Sequence, residues 1–251
     1  MTVHADCPIC GGATRRLDSV DFNKSCEEVR GRFLPPAGQK VEYDVCEQCG
    51  FCFAPQLCQW SLDEFAERIY NSEYVRVDPD YADARPRANA GLLQAMLDGD
   101  VLELRHLDYG GGNGLLSELM RGAGWQSASY DPFADRDIDL REFGRFDLVT
   151  AFEVFEHVPD PVRLVEELVS MLDVDGVIFF STLLSDGSLR SGQKLDWWYA
   201  SPRNGHISLY SSASLSRLGA KHGLNFGSFS TAFHAYWRRI PAWAGKLIRS
   251  D

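Results

Sequence analysis

The sequence of 251 residues contains no cysteine after Cys58, and it is poor in several features that mark whole classes of protein. No apolar run approaches the length that crosses a bilayer, so we expect no membrane partner. The N-terminal segment shows no basic and apolar signal-peptide pattern, which predicts a cytoplasmic protein. Basic residues are in deficit, with 25 Lys and Arg against 36 Asp and Glu and a formal net charge of −11. This deficit argues against nucleic acid as a partner, because such binding needs Lys and Arg to neutralise phosphates.

Two common phosphate-binding loops are missing as well. A dinucleotide loop reads G-x-G-x-x-G, but a count from Gly110 puts Leu115 where the third glycine belongs. No G-K-S/T run, which would end a P-loop, is present. The chain instead has Asp108 to Gly114, an acidic residue followed by a glycine-rich turn between a strand-like and a helix-like apolar stretch. Such a turn lets a ligand approach the backbone, although a tight turn in an unrelated α/β protein would look the same.

Two further patterns follow this turn. A short strand is predicted from Trp125 to Tyr130, and Asp131 ends it about twenty residues after the glycines, where an acidic residue can accept hydrogen bonds from ribose hydroxyls. A turn-forming Asp-Pro pair is the alternative for this residue. Phe133 is a candidate for stacking on adenine. A buried strand is then predicted from Phe146 onward, because the residues are apolar and β-branched.

These patterns resemble the class I S-adenosylmethionine-dependent methyltransferases. The turn matches their first motif at Asp108, Gly110, Gly112 and Gly114, and the stretch 146–161 is similar to their "fDlv…EvlEHv.dp" segment. The resemblance implies an α/β fold with a Rossmann-like, doubly wound sheet of seven strands. It also implies that S-adenosylmethionine is the cofactor.

The resemblance also places further residues. Phe152 and Glu153 are expected to border the methionine part of the cofactor. Tyr74 is a candidate cap over the site, with plain packing as the alternative. The third strand is predicted at Ile138 to Leu140, and the last two at Leu224–Ser230 and Ala232–Trp237. The predicted division is a zinc-ribbon domain over 1–60, a helical connector over 61–100 and the cofactor-binding domain over 101–251.

The cysteines predict a metal site near the start of the chain. Cys7, Cys10, Cys46 and Cys49 form two C-x-x-C-G knuckles, the ligand spacing of a tetrahedral structural zinc ribbon. Disulfides and redox-active thiols are the alternatives. About sixty residues with few large aliphatic side chains cannot build a strong core, so a metal would supply folding energy.

Two histidines are candidate catalytic bases. His206 lies in a stretch that begins Trp197-Trp198-Tyr199 and resembles a signature of a bacterial methyltransferase subgroup that also carries the ribbon. His157 follows the strand that ends at Phe152. Histidine titrates near neutral pH and can take a proton from a hydroxyl acceptor. A purely structural hydrogen bond is the alternative for both.

The leading hypothesis is an S-adenosylmethionine-dependent methyltransferase that acts on a small molecule, with the hydroxyl of a sugar or secondary metabolite as acceptor. One alternative is an RNA methyltransferase guided by the ribbon, against which the acidity counts. The other is a non-catalytic, cofactor-binding scaffold. The sequence does not specify the acceptor, the accepting atom or the oligomeric state, because fold does not settle chemistry.

Overall fold

The computed structural model describes residues 6–97, 103–189, 192 and 194–248. Residues 1–5, which begin the segment inspected for a signal-peptide pattern, lie outside the described residues. The chain forms two compact units, each assembled from separate stretches of sequence. The first unit contains residues 1–79, 155–164 and 182–218. The second unit contains residues 80–154, 165–181 and 219–251. Each unit therefore combines separate stretches of the chain, whereas the division predicted from the sequence uses three consecutive stretches.

Ten strands and seven α-helices are present in the described residues. The strands are β1 (Thr14–Asp21), β2 (Lys40–Cys46), β3 (Cys52–Phe53), β4 (Arg105–Tyr109), β5 (Gln126–Tyr130), β6 (Phe146–Phe152), β7 (Leu172–Ser181), β8 (Ser208–Leu209), β9 (Asn225–Ser228) and β10 (Phe233–Trp237). The helices are α1 (Leu62–Arg68), α2 (Tyr74–Val77), α3 (Ala84–Met96), α4 (Leu115–Gly122), α5 (Pro161–Met171), α6 (Ser212–Lys221) and α7 (Gly245–Ile248).

The second unit is built on a six-stranded sheet in the order β5-β4-β6-β7-β10-β9. Strands β4, β5, β6 and β7 are parallel to one another, whereas β10 is antiparallel to both β7 and β9. β6 is buried almost throughout, as is the second half of β7, which fits the continuous apolar character of interior strands in parallel sheets. β5 pairs with one edge of β4, and β6, which comes later in the chain, pairs with the opposite edge of β4. Ligands in open α/β sheets bind at such a switch point, beyond the carboxyl ends of the strands.

The predicted seven-strand count is wrong for the described residues, because the expected third strand does not form. The segment from Ile138 to Leu140 leads into a short 3-10 helix over Leu140–Phe143, and the Ile138 side chain is 42% exposed. Charged residues dominate residues 135–142, so the segment offers too little apolar surface to fill an interior strand. The predicted final strands are confirmed as β9 and β10.

The first unit contains a four-stranded antiparallel sheet in the order β1-β2-β3-β8. β2 alternates at its start and then buries every residue from Tyr43 to Cys46. The last strand, β8, comes from far along the chain and pairs with β3 through Cys52 and Leu209. This pairing places the stretch around residue 208 in the same unit as the cysteine knuckles.

A capping box begins α1. The Ser61 hydroxyl accepts a hydrogen bond from the Glu64 amide at 3.2 Å, and the Glu64 carboxylate accepts one from the Ser61 amide at 2.8 Å. Across the described part of the chain, every helix is too short or too polar to cross a membrane.

Candidate cofactor site and a second polar cluster

The glycine-rich turn connects β4 to α4 in the second unit. Gly110, Gly112 and Gly114 have φ angles of +73°, +56° and +75°, which favour glycine strongly. A Cβ atom on Gly110 would lie 2.5 Å from Cγ2 of Val154, so a side chain does not fit there. The turn therefore exposes backbone at the carboxyl end of β4, as predicted from the sequence.

Asp131 follows β5 and lies against this turn. Its Oδ2 accepts a hydrogen bond from the Gly112 amide at 3.0 Å, and its Oδ1 accepts one from the Phe133 amide at 2.8 Å. A carboxylate oxygen can accept more than one hydrogen bond, so ribose hydroxyls remain compatible with this arrangement. The structure thus brings together the acidic residue and the glycines, which lie about twenty positions apart in the sequence. Phe133 is half-buried beside them.

Asp108 lies beneath the turn and is 4% exposed. Burial raises the pKa of its carboxyl group to about 7, although the Thr150 hydroxyl donates a hydrogen bond to Oδ1 at 3.0 Å and opposes this shift. Thr150 also lies 2.9 Å from Nε2 of His106. Burial lowers the pKa of His106 to about 3, so this ring is neutral. Neither Thr150 nor His106 could be identified from the sequence as part of this group, since a single Thr or His within a strand has no recognisable pattern.

Glu153 stands at the carboxyl end of β6 with a φ angle of +54°, the one non-glycine residue with positive φ in the described chain. Ser181 holds it there, because its hydroxyl accepts a hydrogen bond from the Glu153 amide and donates one to Oε1, both at 2.8 Å. Strained backbone of this kind tends to occur at functional sites. The neighbouring Phe152 side chain packs in the hydrophobic core against Phe179 and Phe233.

The first unit holds the two predicted catalytic histidines close together, with ring centroids 4.9 Å apart. His206 is 5% exposed, and its Nδ1 lies 2.8 Å from the Tyr199 carbonyl oxygen. A carbonyl oxygen can only accept, so Nδ1 carries a hydrogen, and in the neutral ring Nε2 is the acceptor atom. The Tyr43 hydroxyl donates to the His206 carbonyl at 2.7 Å, which fixes the backbone as well.

Glu156 completes this group and was missed as a candidate. It is fully buried, and the Tyr199 hydroxyl donates a hydrogen bond to its Oε1 at 2.5 Å. One donor atom each from Glu156, His157 and His206 lies within 4.8 Å of the other two. We call these three residues the Glu-His-His cluster. The sequence did contain a signal for Glu156, because an acidic residue directly before a candidate catalytic histidine is itself a candidate for the same site.

Two other residues of the first unit shape the surroundings of this cluster. The ammonium group of Lys24 donates to the carbonyl oxygens of Trp197 at 2.7 Å and Ala200 at 2.9 Å, and so ties down the loop that carries Tyr199. Tyr74, predicted as a cap over the cofactor, is buried and donates its hydroxyl to the Asn204 carbonyl at 3.3 Å. Its capping role remains a prediction.

The four knuckle cysteines meet in the first unit. The Cys7 and Cys49 sulfurs are 3.6 Å apart and the Cys10 and Cys46 sulfurs are 3.4 Å apart, and the cysteines of the described residues form no disulfides. Zinc–sulfur bonds of about 2.3 Å would put tetrahedral sulfurs about 3.8 Å apart, so the arrangement fits a zinc ion. The knuckle glycines, Gly11 and Gly50, have positive φ, which a tight turn accommodates at glycine.

Comparison with known proteins agrees with the fold. The sequence profile of a family described as "Methyltransferase domain" matches residues 81–227, more than half of the chain. A structure described as an O-methyltransferase family protein from Burkholderia thailandensis superposes with a TM-score of 0.51 at 15% identity, covering 74% of this chain and 67% of that one. At that identity the likeness concerns the fold alone.

Curated relatives are similar over a shorter stretch. A ubiquinone biosynthesis O-methyltransferase from Burkholderia multivorans is 34% identical, over 32% of this chain and 44% of that enzyme. The enzyme of the same name from Burkholderia orbicola is 35% identical with the same coverage. The match thus spans less than half the length of these relatives. Together with the glycine turn and the mixed sheet, the profile match shows that the chain belongs to the methyltransferase-domain family.

Proposed function

We propose that this protein transfers a methyl group from S-adenosylmethionine to the hydroxyl of a small molecule. The hydrogen bond between the Gly112 amide and Asp131 carries the proposal, since it joins the glycine turn to the acidic residue at the switch point of the sheet. The turn lacks the third glycine of a dinucleotide loop. The names of the curated relatives, which are O-methyltransferases, favour oxygen as the accepting atom.

Each part of the cofactor has a proposed partner in the second unit. Asp131 accepts hydrogen bonds from the ribose hydroxyls, and Phe133 packs on the adenine. The glycine turn and the strained Glu153 lie at the carboxyl ends of β4 and β6, where we place the methionine portion. Asp108, when ionised, adds negative charge near a ligand that carries a sulfonium cation, which is favourable in a buried setting.

The reaction is an in-line displacement at the methyl carbon. The acceptor oxygen forms a bond to carbon while the carbon–sulfur bond breaks, and the sulfonium becomes a neutral thioether. The hydroxyl proton must go to a base, since a neutral hydroxyl is a weak nucleophile. Much of the remaining acceleration comes from holding the oxygen and the methyl carbon in line.

The Glu-His-His cluster is our candidate for handling the acceptor hydroxyl. In the neutral ring Nε2 of His206 is the acceptor atom, and His157 and Glu156 complete a polar group in an otherwise buried setting. We therefore assign His206 and His157 to the acceptor rather than to the cofactor.

We further propose that Cys7, Cys10, Cys46 and Cys49 bind a structural zinc ion. All four positions of a tetrahedral ion would be filled by protein sulfurs, so this site supplies no chemistry to the substrate. Its contribution is folding energy for the first unit, whose sheet is small.

Calorimetric titration tests the proposed function. We expect S-adenosylmethionine and its demethylated product to bind with micromolar affinity, and NAD to give no signal. Binding of NAD with comparable affinity would overturn the cofactor assignment. Binding of S-adenosylmethionine without turnover on any hydroxyl acceptor would favour the scaffold alternative.

A further inference from the structure

The Glu-His-His cluster has the donor set of a transition-metal site distinct from the four cysteines. Two imidazoles and one carboxylate are ligands of zinc, iron and related divalent cations. The three donor atoms already lie within 4.8 Å of one another. Two donors on one cation are at most about 4.2 Å apart, given bonds of about 2.1 Å, so small side-chain rotations suffice to close the set.

Backbone contacts hold the two segments of the cluster in place. Glu156 and His157 belong to the short 3-10 helix Phe155–His157, and the Glu156 carbonyl accepts a hydrogen bond from the Ile207 amide at 2.9 Å. The Ser208 hydroxyl donates to the Val158 carbonyl at 2.7 Å. These two bonds join the residues on either side of His157 to the two residues that follow His206, so the backbone positions of both histidines are set by the fold.

The surroundings of the donors match the outer shell of a metal centre. A metal-bound histidine usually donates its other ring N–H to a carbonyl or carboxylate, which fixes its tautomer. His206 does this through Nδ1, at 2.8 Å from the Tyr199 carbonyl oxygen. Metal-bound carboxylates are hydrogen-bonded in turn, and Glu156 accepts the Tyr199 hydroxyl at 2.5 Å. Tyr199 thus supports two of the three donors, one through its backbone and one through its side chain.

We propose that Glu156, His157 and His206 bind one divalent transition-metal cation. Three protein ligands leave further coordination positions for water or for an oxygen of the acceptor, as in catalytic and not structural zinc sites. Only the catalytic use of the cation rests on the proposed function. A bound cation would lower the pKa of a coordinated hydroxyl, and the histidine nitrogens would then act as ligands while the proton leaves to solvent.

Cobalt titration of the full chain tests the site directly, after the cysteines have been loaded with zinc. We expect one equivalent of Co²⁺ to give the d–d absorption of nitrogen and oxygen ligands without thiolate charge-transfer bands. His157→Gln and Glu156→Gln should abolish this absorption. His222→Ala, which changes a histidine outside the cluster, should leave it intact.

Tyr199→Phe removes one hydroxyl from the outer shell and keeps the ring. We expect Co²⁺ affinity to fall by about 10-fold or more, as is usual for such partners. Circular dichroism of each variant shows whether it folds, so a misfolded protein is not counted as a metal-site mutant. The proposal is overturned if the folded wild type binds no Co²⁺ beyond its cysteines, or if the folded His157→Gln protein binds it unchanged.

Calorimetry with S-adenosylmethionine separates this proposal from the proposed function. Cobalt binding by a protein that ignores S-adenosylmethionine would support the metal site and remove the methyltransferase assignment. Binding of S-adenosylmethionine by a protein that takes up no cobalt would support the methyltransferase assignment and overturn the metal site.

Discussion

At the scale of single residues, Asp131 links the glycine turn to the end of β5, where we propose that the cofactor binds. Its carboxylate accepts hydrogen bonds from the Gly112 and Phe133 amides. We expect Asp131→Ala to weaken S-adenosylmethionine binding at least about tenfold, because charge-assisted hydrogen bonds to the ribose are lost and the turn is loosened. Calorimetric titration measures this. Asp137→Ala, an exposed acidic residue of the same region, is the control and should bind normally. Equal affinities for the two variants would remove Asp131 from the site.

The buried carboxyl of Asp108 makes a second prediction, on pH dependence. Its pKa is raised from 3.8 to about 7 in the folded protein, so the folded state holds this proton more tightly than the unfolded state. The stability that this group contributes is therefore fully present below about pH 4 and is lost as the pH rises through about 7. Unfolding by denaturant between pH 4 and 8 should show this decline in the wild type.

Asp108→Asn isolates the contribution of the carboxyl group, since the amide does not titrate. The difference in unfolding free energy between wild type and variant should change steadily between about pH 4 and pH 7. A difference that stays constant with pH would mean that the carboxyl titrates normally in the folded protein.

At the scale of an element, the turn before β8 depends on a glycine. Gly205 has a φ of +89°, and a Cβ there would lie 2.6 Å from the Tyr70 hydroxyl and 3.1 Å from Nδ1 of His157. Gly187 also has positive φ, at +79°, but has open space around it. Both alanine variants incur the backbone penalty of about 1–2 kcal/mol. We expect Gly205→Ala to lose a further 1 kcal/mol or more, about the cost of overpacking, in thermal or denaturant unfolding. Equal losses of unfolding free energy in Gly205→Ala and Gly187→Ala would show that the turn accommodates a Cβ atom at position 205.

The cysteine knuckles carry the next prediction. Cys46→Ser should abolish the thiolate charge-transfer absorption of the cobalt-substituted protein and lower its melting temperature, because a structural metal supplies folding energy. Cys58→Ser changes a cysteine of the same unit outside the knuckles and should keep the absorption. Unchanged spectra and stability in Cys46→Ser would exclude the zinc ribbon.

Several elements could be predicted from sequence because they depend on local signals. The glycine turn and the interior strand β6 both have short patterns with a local physical meaning. The third strand was mispredicted because its residues were assigned by analogy, although their charge opposes burial. Glu156, Lys24 and Tyr199 were not identified as one group, since their contacts join positions far apart in the chain and follow no periodicity.

At the scale of the whole molecule, the charge balance argues against nucleic acid as the acceptor. A net charge of −11 repels polyanions, and phosphate binding needs clustered Lys and Arg. Surface guanidinium groups are also engaged by neighbouring carboxylates in several places, among them Arg16 with Glu42 and Asp44, and Arg87 with Asp83. These pairs reduce the positive potential that an RNA backbone would meet.

We therefore expect no measurable binding of a structured RNA at 150 mM salt, on the order of physiological ionic strength. Fluorescence anisotropy with a labelled RNA hairpin measures this, and a repeat at about 10 mM salt shows whether any weak contact is purely electrostatic, because screening weakens as the Debye length grows. Retention of RNA at the higher salt would require a basic surface that this charge balance does not favour. It would make the ribbon-guided RNA methyltransferase the better assignment, with the cofactor site of the second unit unchanged and only the acceptor reassigned.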